Sequence, residues 1–210
     1  RAADASTDGG VARTLSSSRF ALVVVAQTGA SNDGELTLAL CRALHDLGLV
    51  DVRAVVANMA PAAARARLAR GTLGCLAMGD VPVAAGLDGA QAGVDTFTPT
   101  VAATGFDYLP PETEGGGAES GAVLLLRAYE GAAPTSLTLL LDSSLADAAA
   151  FIRSHEELFV AKTERVAVFG NPEPSSVGES AAELLPDPSA ANFKHDLGEA
   201  CFVFSKCQQL

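Results

Sequence analysis

The feature that most constrains this chain is a repeated pairing of a short apolar run with a longer amphipathic segment. Strand-length runs stand at 21–25, 51–57, 81–86, 136–141 and 165–170. Helix-length segments follow at 32–47, from Pro61 to about Met78, at 121–129, at 145–158, and after Asp196. Strands that are apolar throughout, without alternation, are buried on both faces. Burial on both faces requires a layer above and below, so the pattern predicts an α/β fold, a mostly parallel sheet with helices on both faces.

Local signals set the boundaries. Asn32 followed by Glu35, and Asp196 followed by Glu199, have the spacing of capping boxes. Gly48 ends the first helix, and Pro61 opens the second. The first helix is expected to turn Leu36, Leu38, Leu40, Ala43, Leu44 and Leu47 toward the core, and the fourth to turn Ala148, Ala149, Phe151 and Ile152 inward. A Gly-, Thr-, Asp- and Pro-rich stretch at 87–117 reads as a long surface loop, and 171–188 reads as loop. Residues 1–19 form a flexible N-terminal segment and 20–210 one domain.

Composition excludes several function classes. With 210 residues and 49% hydrophobic content the chain can bury one full core. Its net charge of −11 argues against nucleic acid, because binding by counterion release needs clustered Lys and Arg. No window reaches the roughly 18 to 20 apolar residues of a membrane span. Cys41, Cys75, Cys201 and Cys207 lack metal-ligand spacing and read as small buried residues in a reducing compartment. The opening "RAADASTDGGVARTLSSSRF" starts on Arg1 and is rich in Ala, Ser and Arg. It has the look of a processed terminus, which points to an organelle such as the chloroplast and otherwise to the cytoplasm.

The chemistry rests on what "AQTGASNDGE", residues 26–35, is built to hold. A dinucleotide turn needs glycine where Asp33 and Glu35 stand, and two carboxylates at a helix N-terminus repel a diphosphate. A hard cation draws oxygen ligands, which Thr28, Asn32 and Asp33 could supply, but calcium takes about 6 to 8 of them. The third reading is a helix cap with solvated acids.

The order of pieces resembles the nucleoside hydrolases of the inosine-uridine-preferring type. The carriers are "ALVVVAQTGASNDGELTLAL", "AVVAN" ending at Asn58, "GDVPVAAG", "LTLLLDSSLADAAAFIRSHEELFVAKTERVAVFGN" and "PDPSAANFKHDLGEA". The resemblance spans nearly all of 20–210 and implies a calcium-dependent N-riboside hydrolase whose strand-one loop reads Asp-x-Asp-x-x-x-Asp-Asp. This chain has Ala26, Thr28, Asn32 and Asp33 at those positions, so only Asp33 remains an acid. The resemblance assigns metal ligation and the base to the second aspartate, where Thr28 stands, and a threonine hydroxyl takes no proton from water near neutral pH. The same comparison makes Asn58 and Asn192 relic substrate contacts and Thr28, Asn32 and Asp33 relic metal positions. It also replaces a sugar-binding Glu by Ala190 and a Gly-Pro turn by Ser143-Ser144, with Ala146 as the carbonyl donor. The family's last metal-ligating Asp and the His near the leaving base find no counterpart, so the chain reads as truncated. His45, His155 and His195 lie in or beside predicted helices and read as surface or capping residues.

The expectation is therefore a catalytically inactive nucleoside-hydrolase-like domain acting as a structural or accessory subunit, with protein partners and no cofactor. The alternative is an N-riboside hydrolase completed by another domain or chain, with calcium as its ion. A nucleotide-binding oxidoreductase-like domain is the weaker alternative.

Overall fold

The computed structural model describes residues 19–29, 32–91, 97, 109–110, 119–170, 172–174, 184–194 and 196–209. The N-terminal segment other than Arg19, most of 92–118, and His195 lie outside the described residues.

Five strands form one parallel sheet: β1 (Phe20–Ala26), β2 (Val50–Ala57), β3 (Val83–Ala85), β4 (Leu137–Asp142) and β5 (Thr163–Val168), in the order β3-β2-β1-β4-β5. Helices α1 (Asp33–Asp46), α2 (Ala62–Cys75), α3 (Gly121–Glu130), α4 (Ala146–Lys162) and α5 (Leu197–Cys207) cover it. The period of two sorts the strand side chains. Leu22, Val24, Ala26, Val55 and Ala57 pack with Leu38 and Cys41 of α1 and with Ala66, Ala69 and Leu73 of α2. On the opposite face Val23, Val25, Ala54 and Val56 meet Leu124 and Tyr129 of α3, Phe151 and Ile152 of α4, and Val203 of α5. Burial of β1 on both faces explains its unbroken apolar run.

The predicted elements recur with shifted ends, and Ala148, Ala149, Phe151 and Ile152 are all buried. Four expectations need correction. On α1, Leu38 is buried, but Leu36, Leu40 and Leu47 are 64%, 59% and 71% exposed. Leu38 and Cys41 lie one helical turn apart and face the sheet, whereas the i, i+4, i+11 row of Leu36, Leu40 and Leu47 points away from it. Neither capping box forms: Asn32 and Asp196 occupy N-cap positions without a side-chain cap bond. Glu35 instead reaches back to Gly29, and Asp196 is drawn to Ser144 and Ala90. Residues 172–174 and 184–186 form an antiparallel ribbon, β6 (Pro172–Pro174) with β7 (Leu184–Pro186), where loop is the sequence expectation. Two such three-residue strands carry no periodicity to read. Finally, Cys75 and Cys201 are exposed and only Cys41 is fully buried. Burial pushes the Cys41 and Cys207 thiols up to about 11, which keeps both unreactive near neutral pH.

Candidate functional site

Chain direction singles out one place. From β1 the chain steps outward through β2 to β3, then returns to lay β4 on the other side of β1, so the order reverses between β1 and β4. Clefts in open parallel sheets form at the carboxyl ends of the strands that flank such a reversal. Here Ala26 pairs in register with Asp142, and the Gln27 N–H donates to the Asp142 carbonyl at 3.4 Å. A cleft of about 450 Å3 opens above this junction. Gln27, Asp33, Asp142, Phe169, Ala190 and Asn192 are among its lining residues. Phe169 is 61% exposed.

Asp142 ends β4 at 8% exposure, and the Thr37 hydroxyl donates to its Oδ2 at 2.5 Å. Burial raises its pKa, opposed by the Thr37 bond and reinforced by the negative charge of Asp33. Sequence reasoning passed over Asp142, although a carboxylate that closes an apolar strand at the sheet's carboxyl edge is a readable signal. Asn192 donates from Nδ2 to the Phe169 carbonyl at 2.8 Å, so its amide ties the loop after β5 to the turn before α5.

Asn58, just after the end of β2, is not among the residues that line this cleft. It is fully buried and spent within the protein. Its Nδ2 donates to the Ser144 carbonyl at 3.0 Å and to Asp147 Oδ2 at 2.8 Å, and its Oδ1 accepts from the Ser143 hydroxyl. Asp147 also accepts from the Leu87 N–H at 3.1 Å. Burial raises the Asp147 pKa against these donors. Ser143 and Ser144 thus act through hydroxyls: Ser144 Oγ donates to Asp196 Oδ2 at 2.6 Å and accepts from the Ala146 N–H at 3.2 Å.

The strand-one loop is bound inward. Thr28 is fully buried, its hydroxyl donating to the Arg65 carbonyl at 2.7 Å and its own carbonyl accepting from Arg65 Nη1 at 2.6 Å. Glu35 Oε1 accepts from the Gly29 N–H at 2.9 Å, while its Oε2 is buried without a hydrogen-bond partner among the described residues. Burial raises the Glu35 pKa; the backbone amide bonds and the Arg65 charge offset part of that. Asn32 and Asp33 are exposed. His45 sits in the last turn of α1, and His155 lies in α4 at a kink with φ −141°.

These donors do not fit calcium. Both oxygens of Thr28 that could face an ion are engaged by Arg65, and among the described residues no three His, Cys, Asp or Glu side chains gather to hold a metal.

Comparison of the fold with solved structures places it. The chain covers 91% of itself against the effector protein XOO4466, at a TM-score of 0.73 and 20% identity. Against a plant nucleoside hydrolase it covers 90% of itself at a TM-score of 0.64 and 14% identity, and against a purine-preferring ribonucleoside hydrolase from Gardnerella vaginalis 89% at 0.61 and 18%. The chain has the nucleoside-hydrolase fold. It spans 53%, 57% and 58% of those three structures, about half of each. A second effector, XopQ, solved with adenosine diphosphate ribose, shares the fold at a TM-score of 0.67 and 18% identity over 91% of this chain and 55% of its own. No protein-family model matches the sequence, and no curated protein does. At these identities the likeness is one of fold.

Proposed function

We propose that this chain is a nucleoside-hydrolase-like domain without calcium-dependent hydrolytic activity, serving as a binding or accessory component of a larger assembly. The observation that carries the reading is Thr28. At the position where the resemblance implies an acid that holds the ion and activates water, a buried hydroxyl is committed to the Arg65 carbonyl. A neutral hydroxyl is too weak a base to take a proton from water near neutral pH. The side chain of Ala190, which lines the cleft, is a methyl group with no acceptor for a sugar hydroxyl.

The purified chain is expected to release no free base from inosine or uridine above the protein-free control, with or without calcium. Turnover abolished by a chelator would overturn this.

The accessory role draws on the surface. The outer row of α1 presents Leu36, Leu40 and Leu47, and Phe20 and Leu49 are 43% and 46% exposed. Clustered apolar exposure is uncommon on monomers. Sedimentation velocity is expected to show self-association or aggregation of the isolated chain, with binding of a dye for exposed apolar surface. A monodisperse, dye-silent monomer would remove the assembly part of the proposal.

One observation favours the alternative of a riboside hydrolase completed by another chain. Asp33 and Asp142 face the same cleft, whose volume lies in the usual range for small ligands, and XopQ, of the same fold, was solved with adenosine diphosphate ribose. An external chain would then supply the missing acids. The dinucleotide reading gains no such support, since Asp33 and Glu35 occupy the first turn of α1.

A further inference from the structure

The turn after β1 is organised around a positive charge that belongs to the chain. Arg65 projects from α2 and is fully buried, among the largest side chains to be so. Its Nη1 donates to the Thr28 carbonyl at 2.6 Å, its Nε to the Met59 carbonyl at 3.1 Å, and its Nη2 to the Ala60 carbonyl at 3.0 Å. The Phe97 ring lies 5.6 Å from the guanidinium carbon. Glu35, which receives the Gly29 N–H, is near enough for the Arg65 charge to favour its ionised form.

Three carbonyls from two loops turned toward one buried charge are the oxygen set that a hard cation recruits. A guanidinium meets them with several fixed donors and stays protonated throughout the working pH range. Its burial is tolerable only because those donors are matched. A divalent ion brought to the same turn would face both this charge and carbonyls already engaged.

We propose that Arg65 is the permanent cation of the strand-one turn: by bonding the carbonyls of Thr28, Met59 and Ala60 it joins the loops after β1 and β2 and closes the turn to divalent metal. The inference rests on the absence of metal-dependent hydrolysis proposed above and adds the residue that takes the ion's place.

The test uses the full chain with calcium chloride as the probe. Calorimetry is expected to show no binding at millimolar calcium, and the melting midpoint is expected to differ by less than about 1 °C between calcium and chelator. Arg65→Met is expected to lower the midpoint by about 10 °C or more, and Arg65→Lys, which keeps the charge but loses the fork of donors, by a smaller amount. Thr28→Asp restores an acid to the turn and, with Arg65 in place, is expected to leave the chain unresponsive to calcium. A loss of stability alone would follow from any buried residue; an occupied cation position requires in addition that Thr28→Asp stay silent to calcium. Calcium binding by the parent chain or by Thr28→Asp would overturn the proposal, and so would Arg65→Met melting like the parent. Where Arg65→Met yields no folded protein, the parent and Thr28→Asp titrations decide. Metal-free release of base from a riboside would sink the functional reading and leave this one standing.

Discussion

Asn58→Ala is expected to lower the stability of the chain by about 2–4 kcal/mol, and Asn58→Asp by more. The side chain is fully buried, and its amide bridges Ser143, the Ser144 carbonyl and Asp147. Truncation to alanine strips a donor from Asp147, which is 4% exposed and whose pKa burial already raises. It also leaves the Ser143 hydroxyl and the Ser144 carbonyl to find other partners. Aspartate at 58 would set a second carboxylate against Asp147 with no water to screen the pair, which is the arrangement that low dielectric penalises most. Urea denaturation followed by circular dichroism checks both. An unchanged midpoint in Asn58→Ala would show that the amide is spare and free to meet a ligand, as the resemblance to nucleoside hydrolases implies.

The second large effect concerns the approach of α1 to β1. Gly34 is buried in the first turn of α1, and a Cβ built there stands 2.7 Å from the Gln27 carbonyl oxygen and 3.1 Å from the Thr28 Cα. These are backbone atoms, so no rotamer change relieves the clash. Gly34→Ala is expected to cost about 1–3 kcal/mol, with α1 displaced from the strand-one turn and the cleft between Asp33 and Asp142 altered. Gly74 supplies the control. It lies in α2 with nothing within 4 Å of its Cβ position, so Gly74→Ala is expected to be neutral or to stabilise by up to about 1 kcal/mol. Thermal melts of the two variants side by side separate steric contact from helix propensity, and a Gly34→Ala melt matching that of Gly74→Ala would refute the close approach.

Much of the fold is legible because burial on both faces leaves a mark on each strand. The runs at β1, β2 and β4 are apolar almost without interruption, since Val23 and Val24 face different helix layers and both are buried. Capping signals read less well. Asn32 and Glu35 have the right spacing, but Glu35 accepts from the Gly29 amide, and Asn32 is exposed without a side-chain cap bond. A short motif specifies which bonds can form; competing donors decide which do. The leucines of α1 show the same limit. Their spacing fits a helix with apolar residues all round, and only the position of the sheet selects Leu38 over Leu36 and Leu40.

The candidate site divides in a similar way. Thr28 and Ala190, where the resemblance implies acids, are plain in the sequence, because a missing carboxylate is visible without coordinates. Asp142 and Arg65 were not singled out. Arg65 follows the helical spacing of Leu68, Ala69 and Thr72, all buried, so its face was readable, but an arginine on such a face is ordinarily counted as solvated.

The sequence by itself determined the α/β class, the approximate positions of the sheet strands and helices, and that a threonine, Thr28, stands in the strand-one turn where the resemblance implies an acid. These depend on local periodicity and residue chemistry, which act over a few positions. Tertiary structure alone decided that the strand order reverses between β1 and β4, that Asp33 and Asp142 share one cleft, and that Arg65 closes over Thr28 across 37 positions of chain. Those relations are fixed by which surfaces pack together, and packing joins residues that no periodicity connects.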